Sequence, residues 1–190
     1  MFSSELISEE YNTKTMQILR TSPIHPIEIL AYRYVSGIIT GVALLGIYST
    51  IFYIIVMMGA GIHGIIEELE ILALVIKIIL LNWIAFLSIF CAINVYFERP
   101  YLICFIYWLF WEQIISGQNY QQLTVTHYIN SIIYDSLTEM GWIVTADDYG
   151  LVNSNNDTIA TDPLLSTLII FIIGILFIFI GSRGIASKQF

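Results

Sequence analysis

Four apolar runs divide the chain, at 31–60, 71–96, 101–116 and 164–181, and of the stretches between them only 117–163 is long. A helix needs about 20 apolar residues to cross a bilayer, within a range of roughly 17–25. The first two runs exceed that length and the fourth meets it. The third is short unless its helix starts at Pro100, a residue suited to the first helical position. The pattern therefore predicts an all-α, polytopic membrane protein of one domain with four transmembrane helices. The long exception, 117–163, is not uniform. Ile129, Ile132, Ile133, Leu137 and Met140 recur at helical spacing with Asp135, Thr138 and Glu139 between them. That spacing predicts a short amphipathic helix lying in the membrane interface before the last crossing. Residues 146–162 are rich in Asp and Asn, which reads as an exposed loop, and include the glycosylation sequon Asn156-Asp157-Thr158.

Charge orients the crossings. Lys14, Arg20 and Arg33 lie before or at the start of run one, Arg99 between runs two and three, and Arg183 and Lys188 after run four. With four crossings, six of the seven basic residues fall on one side, and Lys77 is the exception. The excess of Lys and Arg on cytoplasmic loops predicts that both termini are cytoplasmic, in the cell membrane, and that 117–163 is external.

Composition sharpens this reading. The 190 residues are 57% hydrophobic and 12% charged, against about 25% charged in a soluble domain. The net charge of −8, without a basic patch, argues against a nucleic-acid partner. Cys91 and Cys104 fall inside apolar runs and read as small buried hydrophobes. Residues 1–20 are polar and acidic, with no basic n-region and no apolar h-region, so no cleavable signal peptide is visible.

The most informative stretch is 7–33, ISEEYNTKTMQILRTSPIHPIEILAYR. Asn12 suits the cap of a short helix through Thr13, Met16, Ile18 and Leu19, which Ser22-Pro23 ends. A second break at Pro26 leads into Glu28, where a carboxylate favours the positive end of the next helix. This is a cytoplasmic surface helix hinged to a membrane helix through two prolines. Ile7, Glu10, Thr15, Leu19, Ser22, Pro23, Ile24, Glu28, Ile29 and Arg33 fall in step with a family pattern. The stretch resembles the cytoplasmic loop of ABC-2-type transporter permeases. Lys14 and Tyr32 stand where that family commonly has glycine. The order of crossings that follows, with a long outer segment before the last, is also similar.

The resemblance implies the permease subunit of an exporter. Its cytoplasmic helix would dock on a separate ATPase subunit, with Glu10, Thr15, Met16, Leu19, Arg20, Pro23 and Glu28 as the coupling residues. ATP would be used by that partner, since the chain contains no GxxxxGK[ST] phosphate loop. No cofactor would be bound directly, and no catalytic residue is expected. A second permease copy or homologue and the lipid bilayer complete the implied partners. Family members carry two further helices before this loop, so the chain is expected to correspond to the C-terminal two-thirds of a permease, truncated or split.

Two ionisable residues sit inside predicted helices. Lys77 and Glu112 lie at similar depth near the outer ends of runs two and three, where they either pair with each other or reach separately for the outer interface. Gly37 and Gly41 form a GxxxG step for close helix packing, within the chain or between subunits. His63, Glu67 and Glu68 share a short loop, a grouping common by chance, and no metal site is expected. The competing function is a non-transporting four-helix scaffold or inactive permease remnant. A membrane-embedded enzyme would need polar groups converging mid-helix, and the sequence shows none.

Overall fold

The computed structural model describes residues 26–60, 69–97, 99–114, 120–152 and 157–187. The expected coupling residues Glu10, Thr15, Met16, Leu19, Arg20 and Pro23, the loop group His63, Glu67 and Glu68, and Asn156 lie outside the described residues. Among those described there is no strand, only an isolated bridge between Val152 and Thr158. The helices are α1 (Pro26–Met57), α2 (Leu69–Tyr96), α3 (Pro100–Ile106), α4 (Val125–Glu139) and α5 (Pro163–Ser187). A π-helical stretch, Tyr107–Ile114, continues α3.

Proline sets three of the helix starts. Pro26, Pro100 and Pro163 each occupy the first position, where a missing N–H costs nothing. Glu28 stands in the first turn of α1, as the sequence predicts. Asp162 caps α5: its Oδ1 accepts from the backbone N–H of Leu164 at 2.9 Å and of Leu165 at 3.3 Å.

Three stretches among the described residues are long and apolar enough to cross a bilayer: Leu30–Met57, Leu69–Tyr96 and Pro163–Ile185. They are consistent with a membrane location. Run three, expected to make a fourth crossing, is not among them. Its α-helical part is 7 residues long before the π-helical turns begin.

α2 is the central element and buries two faces. Ile84, Leu87, Cys91 and Val95 meet Leu30 and Tyr34 of α1, while Leu81, Ala85 and Ile89 meet Val125, Ile129 and Ile132 of α4 and Ile170 of α5. Glycines set the close approaches. A Cβ on Gly181 of α5 would stand 2.9 Å from Leu30 Cδ2 and 3.4 Å from Ala92 Cα. One on Gly184 would stand 2.8 Å from Val95 Cγ1. Gly174 faces Ile84 and Ser88. Rising numbers on α5 thus match rising numbers on α2, so these two helices run parallel. α1 runs the other way. Its Leu30 lies at the Gly181 level, and further along Tyr34 Oη donates to Ile84 O (2.9 Å) and Trp83 Nε1 donates to Gly37 O (3.0 Å). The Trp83 ring also covers Gly41, so the GxxxG step is used inside the chain.

With these directions, Arg33, Arg99 and Arg183 gather at one end of the bundle, with Glu70 at the other. The outward sides carry large apolar residues such as Phe52, 68% exposed, and Ile175, 69% exposed. Exposed apolar surface of this kind marks a face that meets a membrane or another protein.

Gly181→Val should lower the thermal midpoint in detergent, because overpacking against Leu30 of α1 and Ala92 of α2 costs about 1–3 kcal/mol. Gly46→Ala, with nothing within 4 Å, should hold or raise it, since helical glycine is roughly 0.5–1 kcal/mol worse than alanine. Equal losses from both would refute the close approach at Gly181.

Candidate functional site

The polar centre of the molecule is a carboxylate at the head of α4. Glu112 is fully buried. Its Oε1 accepts from Tyr107 Oη (2.9 Å) and from Val125 N–H (3.3 Å). Its Oε2 accepts from Thr126 N–H (3.1 Å) and Thr126 Oγ1 (2.8 Å). The first N–H groups of a helix have no partner within it, and they form the positive end of its dipole. Glu112 takes two of these donors. Thr124, the N-cap, takes a third through His127 N–H to its Oγ1 at 3.3 Å. The π-helical turns explain how Glu112 gets there. An α-helix continued from Pro100 and Cys104 returns position 111 to the inner face. The wider turn needs one more residue, so Glu112 points inward and Trp111 is left 41% exposed.

Of the two alternatives for Lys77 and Glu112, the ion pair is not among the bonds that Glu112 makes. Lys77 is exposed and lines a cleft with Ser136, Glu139 and Met140, at the far end of α4 from the head that Glu112 caps. Thirteen residues of helix separate Thr126 from Glu139, about 20 Å at the α-helical rise. The sequence places both charges at similar depth along the chain. It does not reveal that α4 turns its own head to Glu112, which supplies a nearer and more numerous set of donors.

A second group of polar side chains follows one turn on. His127 is 2% exposed, and its Nε2 lies 3.1 Å from Thr161 Oγ1. Thr161 N–H donates to Ser131 Oγ (3.2 Å), and Ser131 Oγ donates to His127 O (2.9 Å). These bonds pin the approach to α5 against α4. His127 Nδ1 is buried without a hydrogen-bond partner. A ring that works as a base is normally oriented through its second nitrogen, so this pair lacks the third member of a nucleophilic triad. Burial holds the His127 pKa below its ordinary value.

The polar segment at 120–152 is less free than its composition suggests. Ala146 and Leu151 are buried, Gln121 Nε2 donates to Val152 O (3.1 Å), and Asn130 Nδ2 donates to Tyr149 O (2.9 Å). Tyr107, Thr124, Thr126, His127, Ser131 and Thr161 are not legible as a site in the sequence. One signal does point to them: a threonine, Thr124, directly before the periodic apolar positions, which is how a helix start reads. In comparison with known proteins, the chain matches no family model, no curated protein and no solved structure.

Glu112→Ala should destabilise the protein by roughly 1–3 kcal/mol for each buried donor left unpaired. Lys77→Met should cost little, and the two losses should add in the double variant. A double variant more stable than Glu112→Ala alone would restore the ion pair. Both are read from thermal midpoints in detergent.

His127 gives a pH signature. Its folded pKa is depressed from 6.5, so the unfolded chain binds the proton first as pH falls. The stability of the neutral ring is complete above pH 6.5 and is lost from there down toward the folded value. His127→Gln should flatten this slope, measured as thermal midpoint between about pH 7.5 and 5. A slope unchanged by the substitution would assign it to another group.

Proposed function

We propose that this chain is the lipid-embedded permease portion of an ABC-2-type exporter, driven by ATP hydrolysis in a separate subunit and paired with a second permease copy or homologue. The observation that carries the reading is the pattern at 7–33, whose last members, Glu28 and Arg33, stand in the first turns of α1. The helix directions add support. Because α2 and α5 run parallel, the chain must travel back along the bundle between Phe97 and Asp162. Three long helices and one return put the start of α1 and the end of α5 on the same side, together with Arg33, Arg99 and Arg183. The positive-inside rule makes that side cytoplasmic, with run three and α4 forming the return.

The mechanism is mechanical. The surface helix at 9–19 docks on the ATPase, with Met16 and Leu19 as apolar anchors and Glu10 and Arg20 setting orientation. Closure of two ATPase subunits displaces it, and Pro23 and Pro26 pass the shift into α1. α1 grips α2 through the Tyr34–Ile84 and Trp83–Gly37 hydrogen bonds, so the displacement reaches the central helix. α2 carries α4 on its opposite face, through Leu81, Ala85 and Ile89.

A second reading, a non-transporting scaffold or inactive permease remnant, is favoured by one feature. The buried polar groups around Glu112 bond to one another rather than lining a path.

Met16→Asp with Leu19→Asp separates the two. On the permease reading it should abolish co-purification of the ATPase and transport together, while leaving the helices inserted. Undiminished ATPase binding would remove the coupling role. Topology is checked in a background of Cys91→Ala and Cys104→Ala. Asn153→Cys should react with a membrane-impermeant thiol reagent in intact cells and Ser187→Cys should not. The reverse labelling would overturn the orientation.

A further inference from the structure

At the end of the bundle away from the arginines, an open cleft of about 390 Å³ lies between α2 and α4. Glu70, Ala73, Leu74 and Lys77 of α2 form one wall, and Ser136, Glu139 and Met140 form the other. Glu70 and Lys77 are seven residues apart, two turns, and so share a face of α2. Ser136 and Glu139 are neighbours at i and i+3 on α4. Among the described residues, no ion pair joins Lys77 to Glu70 or to Glu139. One cleft thus presents two carboxylates, an ammonium and a hydroxyl without satisfying them internally. Its complement carries a phosphate for Lys77 and Ser136 and a primary ammonium for the two glutamates. A divalent cation is opposed by Lys77, and a purely anionic ligand by Glu70 and Glu139.

What lies beside the cleft indicates an amphiphile. α4 ends in a glycine turn directly after Met140. Gly141, at φ +81°, donates to Thr138 O (3.0 Å), and Trp142 N–H donates to Leu137 O (3.0 Å). This turn projects Trp142, 53% exposed, and Ile143, fully exposed, from an otherwise polar segment. On α2, Ile71 begins the apolar run one residue after Glu70. The cleft therefore stands where hydrocarbon gives way to headgroups, and tryptophan is enriched at that level in membrane proteins. A soluble zwitterion would have no use for the apolar tip.

We propose that this cleft is a headgroup site for a phospholipid bearing a primary amine, in the leaflet away from the arginines. The proposal rests on the membrane reading given above but not on the transport function. The phosphate sits against Lys77 and Ser136, the ammonium donates to Glu70 and Glu139, and the acyl chains run down past Trp142 and Ile143.

The test uses the full chain in detergent with equal phosphatidylethanolamine, phosphatidylcholine and phosphatidylglycerol, and bound lipid read by native mass spectrometry. Phosphatidylethanolamine should be retained over phosphatidylcholine, which has no N–H to donate, and phosphatidylglycerol should be retained least. Lys77→Met and the Glu70→Gln, Glu139→Gln double variant should each lose about tenfold in retention, the scale of one charge-assisted hydrogen bond. These three side chains are exposed, so an unchanged thermal midpoint should show that the fold is intact. Equal retention of the three lipids, or variants that bind like the parent, would overturn the proposal. So would displacement of the lipid by soluble phosphorylethanolamine, which would assign the cleft to a free zwitterion. Alkaline carbonate extraction keeps the two readings apart. A chain stripped from membranes by carbonate loses the membrane reading and the headgroup site with it. A chain that stays in the membrane without lipid preference loses the headgroup site alone.

Discussion

Gly174, Gly181 and Gly184 allow α5 to lie against α2 with their backbones close and both helices running in the same direction. Most of the architecture depends on that contact. Two parallel helices joined by one chain require a return along their full length, so residues between Phe97 and Asp162 must climb the bundle. α1, antiparallel to both, closes the other side of α2 through Leu30, Tyr34 and the Trp83 indole. The three arginines meet at one end because of these directions, not because of any attraction between them.

The return has its own constraint. It must turn from α3 into α4 without leaving backbone donors unsatisfied, and the head of α4 is buried. Glu112 meets this need by accepting from Val125, Thr126 and Tyr107, while Thr124 accepts from His127. A single carboxylate thus joins the two halves of the return, and the π-helical turns before it aim the carboxylate inward. His127 Nδ1 is the point where this satisfaction stops, and burial keeps that ring neutral.

α2 is therefore the element through which the two sides of the molecule communicate. One face receives α1, and the opposite face supports α4. One continuous helix thus touches both α1 and α4. This suits a permease driven by an external ATPase, and it equally defines what an unmoving scaffold would have to hold fixed. The ends differ in character as well. One is basic, while the other pairs carboxylates with a lone lysine and an exposed tryptophan.

Much of this was legible in the sequence. The lengths of α1, α2 and α5 follow from apolar run length, the starts of α1 and α5 from Pro26 and Pro163, and Arg33, Arg99 and Arg183 stand at the ends of apolar runs in the sequence. Those signals are local or additive, so one dimension suffices. The amphipathic period over 129–140 likewise places α4, although not the depth of its head. Glu112 stood out as a charge inside an apolar run, but its partners did not. Its pairing depends on where α4 begins in space and on a π-helical stretch that shifts the inward position by one residue. Periodicity read at 3.6 residues per turn cannot anticipate that shift. The close approach of α5 to α2 at Gly181 and Gly184, the Trp83 ring over Gly41, and the clasp of Thr161 on His127 and Ser131 are contacts between residues distant in the chain. Hydrophobicity marks such residues as buried or not. Only the packed structure decides against what they are buried.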